Sequence, residues 1–306
     1  MKKILAFITI LILTDSIFSI EEGFHVPEPN LEVYEKLNQK LLYGEPKDAA
    51  YAAEELMFFN SRRAVRSLVK ALRGPDNFPD SPRNTALVKF YSARALGYLG
   101  SPYAAKPLIE EYTMQQEKIT EFKHEPKKSM AQISTGESLS SPFFFDKDDY
   151  TIPLATGEML RALGRLEYTP EAENVLKDAL KHKNSYIRAS AADGLRLLER
   201  VENLGPLKEV VGSETDDYAK ASELGAICTL ERGATPSFKE LTNMLSSDDP
   251  GARMKASHYL GEIDLRLAEV PLTKALEIED DPIVYSQMKQ DLKRIMAFKR
   301  PAHVEE

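Results

Sequence analysis

PRNTALVKFYSARALGYLGSPYAAKPLIEEY, residues 82–112, reads as two amphipathic helices joined by a tight turn at Gly100-Ser101-Pro102. In the first, Phe90, Ala93, Leu96 and Leu99 recur at three-residue steps and share one face. In the second, Ala104, Ala105, Leu108 and Ile109 do the same. Neither helix can bury its apolar face alone, so the unit is stable only when stacked on copies of itself.

The copies are present. Counterparts of Leu96 stand at Leu56, Leu163, Leu195, Ile227, Leu260 and Leu292, the last five separated by 32, 32, 33 and 32 residues. A second column follows three residues later, at Phe59, Leu99, Leu166, Leu198, Leu230, Ile263 and Ile295. Eleven residues after the anchor a Pro-Leu pair recurs, as Pro107-Leu108, Pro206-Leu207 and Pro271-Leu272. Proline fits there if it falls in the first turn of a helix, where no intrahelical donor is lost.

At these residues the chain resembles the HEAT-repeat family, particularly bacterial repeats of the phycobilin-lyase type, in which an Ala-rich helix ends in Leu-Gly-x-Leu-Gly before a Pro-Leu second helix. The resemblance covers roughly residues 46–298. It implies an all-α fold, an α-solenoid of about six HEAT-like helical hairpins, with first helices on the convex side and second helices lining the concave side. It also implies a binding scaffold more readily than an enzyme.

Read from the start, MKK followed by ILAFITILIL and TDSIFS has the plan of a secretory signal peptide over residues 1–20. Its apolar core is shorter than the roughly 20 residues of a spanning helix. Cleavage near Ser19 or Ile20 is expected, with a retained signal anchor as the alternative. The expectation is a periplasmic or secreted protein without stable membrane insertion after cleavage. Residues 21–45 form a leader and a capping helix with Leu31, Tyr34, Leu37 and Leu41 on one side. The solenoid occupies 46–298, with an insertion at 115–149, and residues 299–306 are a C-terminal tail. The helix carrying Leu292 and Ile295 has no second helix after it, so it reads as the other cap.

The formal charge of −8 becomes −9 once residues 1–20, with two lysines and one aspartate, are removed. An acidic chain argues against nucleic acid as a partner, because that contact needs a basic footprint. The single cysteine, Cys228, allows no internal disulfide and stands where other copies have Gly97, Gly164 or Gly261. It reads as a small buried residue.

Motifs for chemistry are missing: no phosphate loop, no zinc-ligand spacing and no dinucleotide fingerprint occurs. Residues 136–140, GESLS, miss the nucleophile elbow at the last position. The histidines, at 25, 124, 182, 258 and 303, fall in unrelated contexts, and His124-Glu125 is a single pair. Metal-dependent HEAT-like hydroxylases use several such pairs, so neither metal nor other cofactor is expected. The reading is a non-catalytic scaffold binding a protein or peptide. The alternatives are a phycobilin-lyase-like enzyme and a self-associating envelope subunit.

Two features suggest where the partner binds. Arg62, Arg63, Arg66 and Lys70 make the second helix of the first repeat basic, and the resemblance puts that helix type on the groove. Phe143, Phe144 and Phe145 end the polar insertion and would serve as contacts or as a lid.

Overall fold

The computed structural model describes residues 31–74, 82–119, 152–233, 235–263 and 266–297. Two compact units are distinguished, Met1–Lys36 and Leu37–Glu306. The described part of the first is the opening of helix α1 (Leu31–Tyr43). The signal segment and Phe143, Phe144 and Phe145 lie outside the described residues.

Among the described residues every regular element is helical. Six hairpins follow one another: α2 (Pro46–Leu56) with α3 (Arg62–Arg73), α4 (Pro82–Leu99) with α5 (Ala105–Gln116), and α6 (Ile152–Arg165) with α7 (Pro170–Ala179); then α8 (Ser185–Leu197) with α9 (Leu204–Val211), α10 (Asp217–Glu231) with α11 (Pro236–Asn243), and α12 (Pro250–Glu262) with α13 (Glu269–Ile278). Helix α14 (Pro282–Ala297) is the last described element and packs on α12 and α13, with Lys289, Lys293 and Arg294 exposed. The second unit is thus the expected α-solenoid. Because α5 continues to Gln116 and Ile119 is buried beyond it, the repeat extends past residue 115, where the insertion was expected to begin. No helix among the described residues is long and apolar enough to cross a membrane.

The boundaries follow from local chemistry. Thr169, Asn184, Asp216 and Thr235 each accept the N–H three residues on, and Asp249 accepts that of Gly251. Proline takes the first helical position of α2, α7, α11 and α12, where its missing N–H costs nothing. Gly100 turns the chain between α4 and α5 at φ +63°, a conformation that favours glycine.

Burial bears out the anchor column. Leu56, Leu96, Leu163, Leu195, Ile227 and Leu260 have no exposed surface, and Leu292 on α14 is half-buried. Leu195→Ala should therefore cost about 2–5 kcal/mol, from lost transfer energy and the cavity left behind. Urea denaturation of parent and variant measures it, and a shift under about 1 kcal/mol would contradict this packing.

A clasp invisible to the hydrophobic pattern ties repeats together. Arg188 donates Nε and Nη2 to the two carboxylate oxygens of Glu214, at 2.6 and 2.8 Å, and caps the carbonyls of His182 and Lys183. Arg253 makes the same bidentate contact to Glu279, at 2.8 and 2.8 Å, and caps the carbonyls of Ser247 and Asp248. Each arginine lies four residues after a helix cap, and each glutamate two residues before the next repeat's cap. The glutamates also accept the N–H of Asp216 and Asp281.

First helices pack on first helices along the whole stack, whereas second helices touch one another far less. The tighter layer is the inner one, and side chains of α8 reach α12 directly, past α10. This corrects the expectation drawn from the family resemblance: the inner face belongs to the first helices. The reason is steric. Helices rich in alanine and glycine approach most closely, and that layer has the smaller radius. At Gly164 on α6 a Cβ would lie 2.2 Å from the carbonyl oxygen of Gly194 on α8.

Candidate functional site

Each first helix turns its anchor leucine or isoleucine into the core and presents a second stripe five and two residues before that anchor and two after it. On α4 the stripe is Tyr91, Arg94 and Tyr98; on α6 it is Glu158, Arg161 and Arg165. On α8 it is Ser190, Asp193 and Leu197; on α12 it is Lys255, His258 and Glu262. These spacings of three and four residues keep the stripe on one face. On α10 the corresponding residues are small: Ser222, Gly225 and Thr229. A Cβ on Gly225 would lie 2.1 Å from Cδ2 of the Tyr259 ring, so only glycine lets that ring cross α10.

The stripes enclose a cleft of about 540 Å³ lined by α4, α6, α8 and α12. Asp193 is at its base, 4% exposed. Its carboxylate accepts from Arg161 Nε at 2.8 Å, from Lys255 Nζ at 2.9 Å and from the Tyr259 hydroxyl. Arg161 Nη1 also donates to the Tyr186 hydroxyl at 3.0 Å and lies 3.6 Å from Glu158. Nearer the mouth, Arg165 Nη1 donates to Glu158 at 2.9 Å and Arg196 Nη1 to Glu262 at 2.8 Å. His258 Nε2 is 3.4 Å from the other Glu262 oxygen.

Rings hold the cations in place. Arg165 lies 4.7 Å from the centre of Tyr98, Arg196 5.2 Å from Tyr259 and Arg161 5.2 Å from Tyr186. Lys255 sits between Tyr218 and Tyr259, 5.5 and 5.4 Å from their centres. Arginines stacked in this way are committed to one orientation before any ligand arrives.

Burial would by itself raise the Asp193 carboxyl, but the charges of Lys255 and Arg161 and the Tyr259 hydroxyl prevail and hold it well below the usual carboxylate range. Burial pushes Lys255 down to about 8 against the pull of Asp193. Burial also lowers His258, opposed by Glu262 and Asp291, so the imidazole is neutral at pH 7. Five cationic side chains (Arg94, Arg161, Arg165, Arg196, Lys255) then face three carboxylates (Glu158, Asp193, Glu262). The cleft is positive on a chain whose formal charge is −8.

Arg62, Arg63, Arg66 and Lys70 are exposed on α3, a second helix, and none lines the cleft. Arg62 lies 5.7 Å from the centre of Tyr103, and Lys70 5.7 Å from that of Tyr43. They form a basic patch on the second-helix layer, apart from the cleft. Cys228 is buried as expected, and burial pushes its thiol up to about 12. His258, read in the sequence as isolated, is part of the cleft. The signal available was polar side chains recurring in three columns of helices whose other residues are apolar or small.

No family model matches the sequence, and no curated protein matches it. Among solved structures the chain is similar to a crystal structure of an engineered protein from the Northeast Structural Genomics Consortium, at 17% identity and a TM-score of 0.31, covering 86% of this chain and 96% of that one. A likeness this loose leaves the fold argument to rest on the repeat columns and their packing.

Proposed function

We propose that this chain is a non-catalytic scaffold with HEAT-like repeats, exported to the cell envelope, that holds a protein or peptide partner against the inner face of its first helices. The observation that carries the reading is the cleft: a positive, ring-braced cavity on an acidic molecule. Its groups are arranged to hold more than to turn over. The Asp193 carboxylate is engaged by two cations and a phenol, and the Lys255 ammonium is engaged by Asp193 between two rings. A general base needs access and a pKa near the working pH, and Asp193 has neither.

The test is site-directed photocrosslinking in the native envelope, with the probe at Tyr98 on the cleft rim or at Arg66 on the basic patch. Position 98 should give a discrete protein or peptide adduct whose scaffold half lacks residues 1–20. An adduct at 66 with none at 98 would move the site to α3, and Met1 on the mature protein would refute cleavage.

A further inference from the structure

We infer that the cleft is a carboxylate-binding site that receives an acidic side chain of an extended peptide, while the aromatic surface of the neighbouring first helices carries the flanking residues. This rests on the scaffold reading above and adds the chemistry of its partner. Three observations support it.

The first is the charge of the lining. Asp193 at the base accepts from two buried cations, Arg161 and Lys255, while Glu158 and Glu262 each pair with an arginine nearer the mouth. Positive charge held in a recess shielded from water is costly, and a carboxylate entering the recess relieves that cost.

The second is the geometry of the donors. Arg165 and Arg196 are stacked on Tyr98 and Tyr259 on the two sides of the cleft, so their guanidinium planes are fixed by the rings. A planar fork of this kind matches a carboxylate with two parallel hydrogen bonds. Nε of Arg196, a donor on the cleft lining, is buried without a hydrogen-bond partner. Buried donors are normally satisfied, so a carboxylate that reaches this one completes the site.

The third is what adjoins the cleft. Tyr51 and Glu54 on α2, with Phe58 in the turn after it, occupy the same three columns, and α2 packs against α4. Tyr51 is 57% exposed, Phe58 73% and Tyr98 55%. Large aromatic groups left open along one inner face, next to a positive recess, fit a chain that alternates acidic and apolar side chains. The cavity, at about 540 Å³, has room for one or two side chains and not for a folded partner.

Fluorescence anisotropy with two labelled hexapeptides tests the inference, one alternating Glu and Tyr, the other its Gln and Tyr twin. The Glu peptide should bind at least about tenfold more tightly than the twin, and added salt should weaken it. Arg165→Gln and Arg196→Gln should each remove most of that preference, whereas Arg66→Gln should leave it intact. Tyr98→Ser alters an exposed ring, should fold as the parent does by circular dichroism, and should weaken both peptides. Equal binding of the two peptides, or a preference unchanged in both arginine variants, would overturn the inference while leaving the scaffold reading to the crosslink at position 98. Free glutarate competing at equal concentration would also overturn it, by making the occupant a small acid instead of a peptide. Failure of glutarate to compete while the Glu peptide binds supports the peptide assignment.

Discussion

Asp193→Asn is expected to destabilise the protein by about 3–5 kcal/mol at pH 7, the usual cost of breaking a buried ion pair from one side. The substitution keeps the volume and removes the charge. Arg161 and Lys255, both nearly fully buried, then lose the carboxylate between them. Arg161 keeps Glu158 and the Tyr186 hydroxyl, so most of the loss falls on Lys255. Its ammonium, already held down to about 8 by burial, would drop further and give up its proton on folding. The sign follows from that. A lysine depressed in the folded state carries a penalty that is fully present below its folded pKa and fades as pH rises towards its ordinary value near 10.5. The gap between variant and parent should therefore narrow from pH 7 to pH 9, and Lys255→Met in the Asp193→Asn background should recover part of it. Urea titrations at the two pH values measure this. A difference under about 0.5 kcal/mol at pH 7 would show that the network is ornamental.

The fold was legible because its determinants repeat. Leu163, Leu195, Ile227 and Leu260 occupy one environment four times, and a branched aliphatic side chain satisfies it each time. The cleft was hidden because its determinants do not repeat. The position two before the anchor is Arg94, Arg161, Asp193, Gly225 and His258 in successive first helices. Alone, each looks like a polar residue on a solvated face; stacking on a short radius turns that face inward. It brings Asp193 beside Lys255 and Tyr259, 62 and 66 residues away. No window along the chain contains that pairing. The basic run on α3 drew attention because it is local, and the family resemblance supplied the wrong layer order for it. The Arg-to-Glu clasps lay within reach: 26 residues separate Arg188 from Glu214 and Arg253 from Glu279, in the same register. They were missed because a hydrophobic template passes over charged positions.

Glu223→Met should stabilise the protein at pH 8.5 by a few kcal/mol and change little at pH 4.5. Glu223 lies on α10 with no exposed surface, its carboxyl beside that of Glu214. Burial, and then the like charge of Glu214, push it up to about 8, with Arg188 opposing. The folded state therefore binds a proton that the unfolded chain, near 4.5, releases. Stability contributed by the protonated carboxyl is fully present below about 4.5 and is lost as pH rises through about 8. At about 1.4 kcal/mol per pH unit of displacement, the loss over that window approaches 4–5 kcal/mol as an upper bound. Methionine is the apt replacement because the same position, four before the anchor, is Met159 in the third repeat and Ala191 and Ala256 in the fourth and sixth. It leaves no unmet polar atom, and Arg188 keeps its bidentate contact with Glu214. The comparison that decides is the slope of unfolding free energy against pH between 4.5 and 8.5, steeper downwards in the parent than in the variant. Parallel slopes would mean that Glu223 is ionised in the folded protein, with water or a cation reaching it from a direction this packing closes.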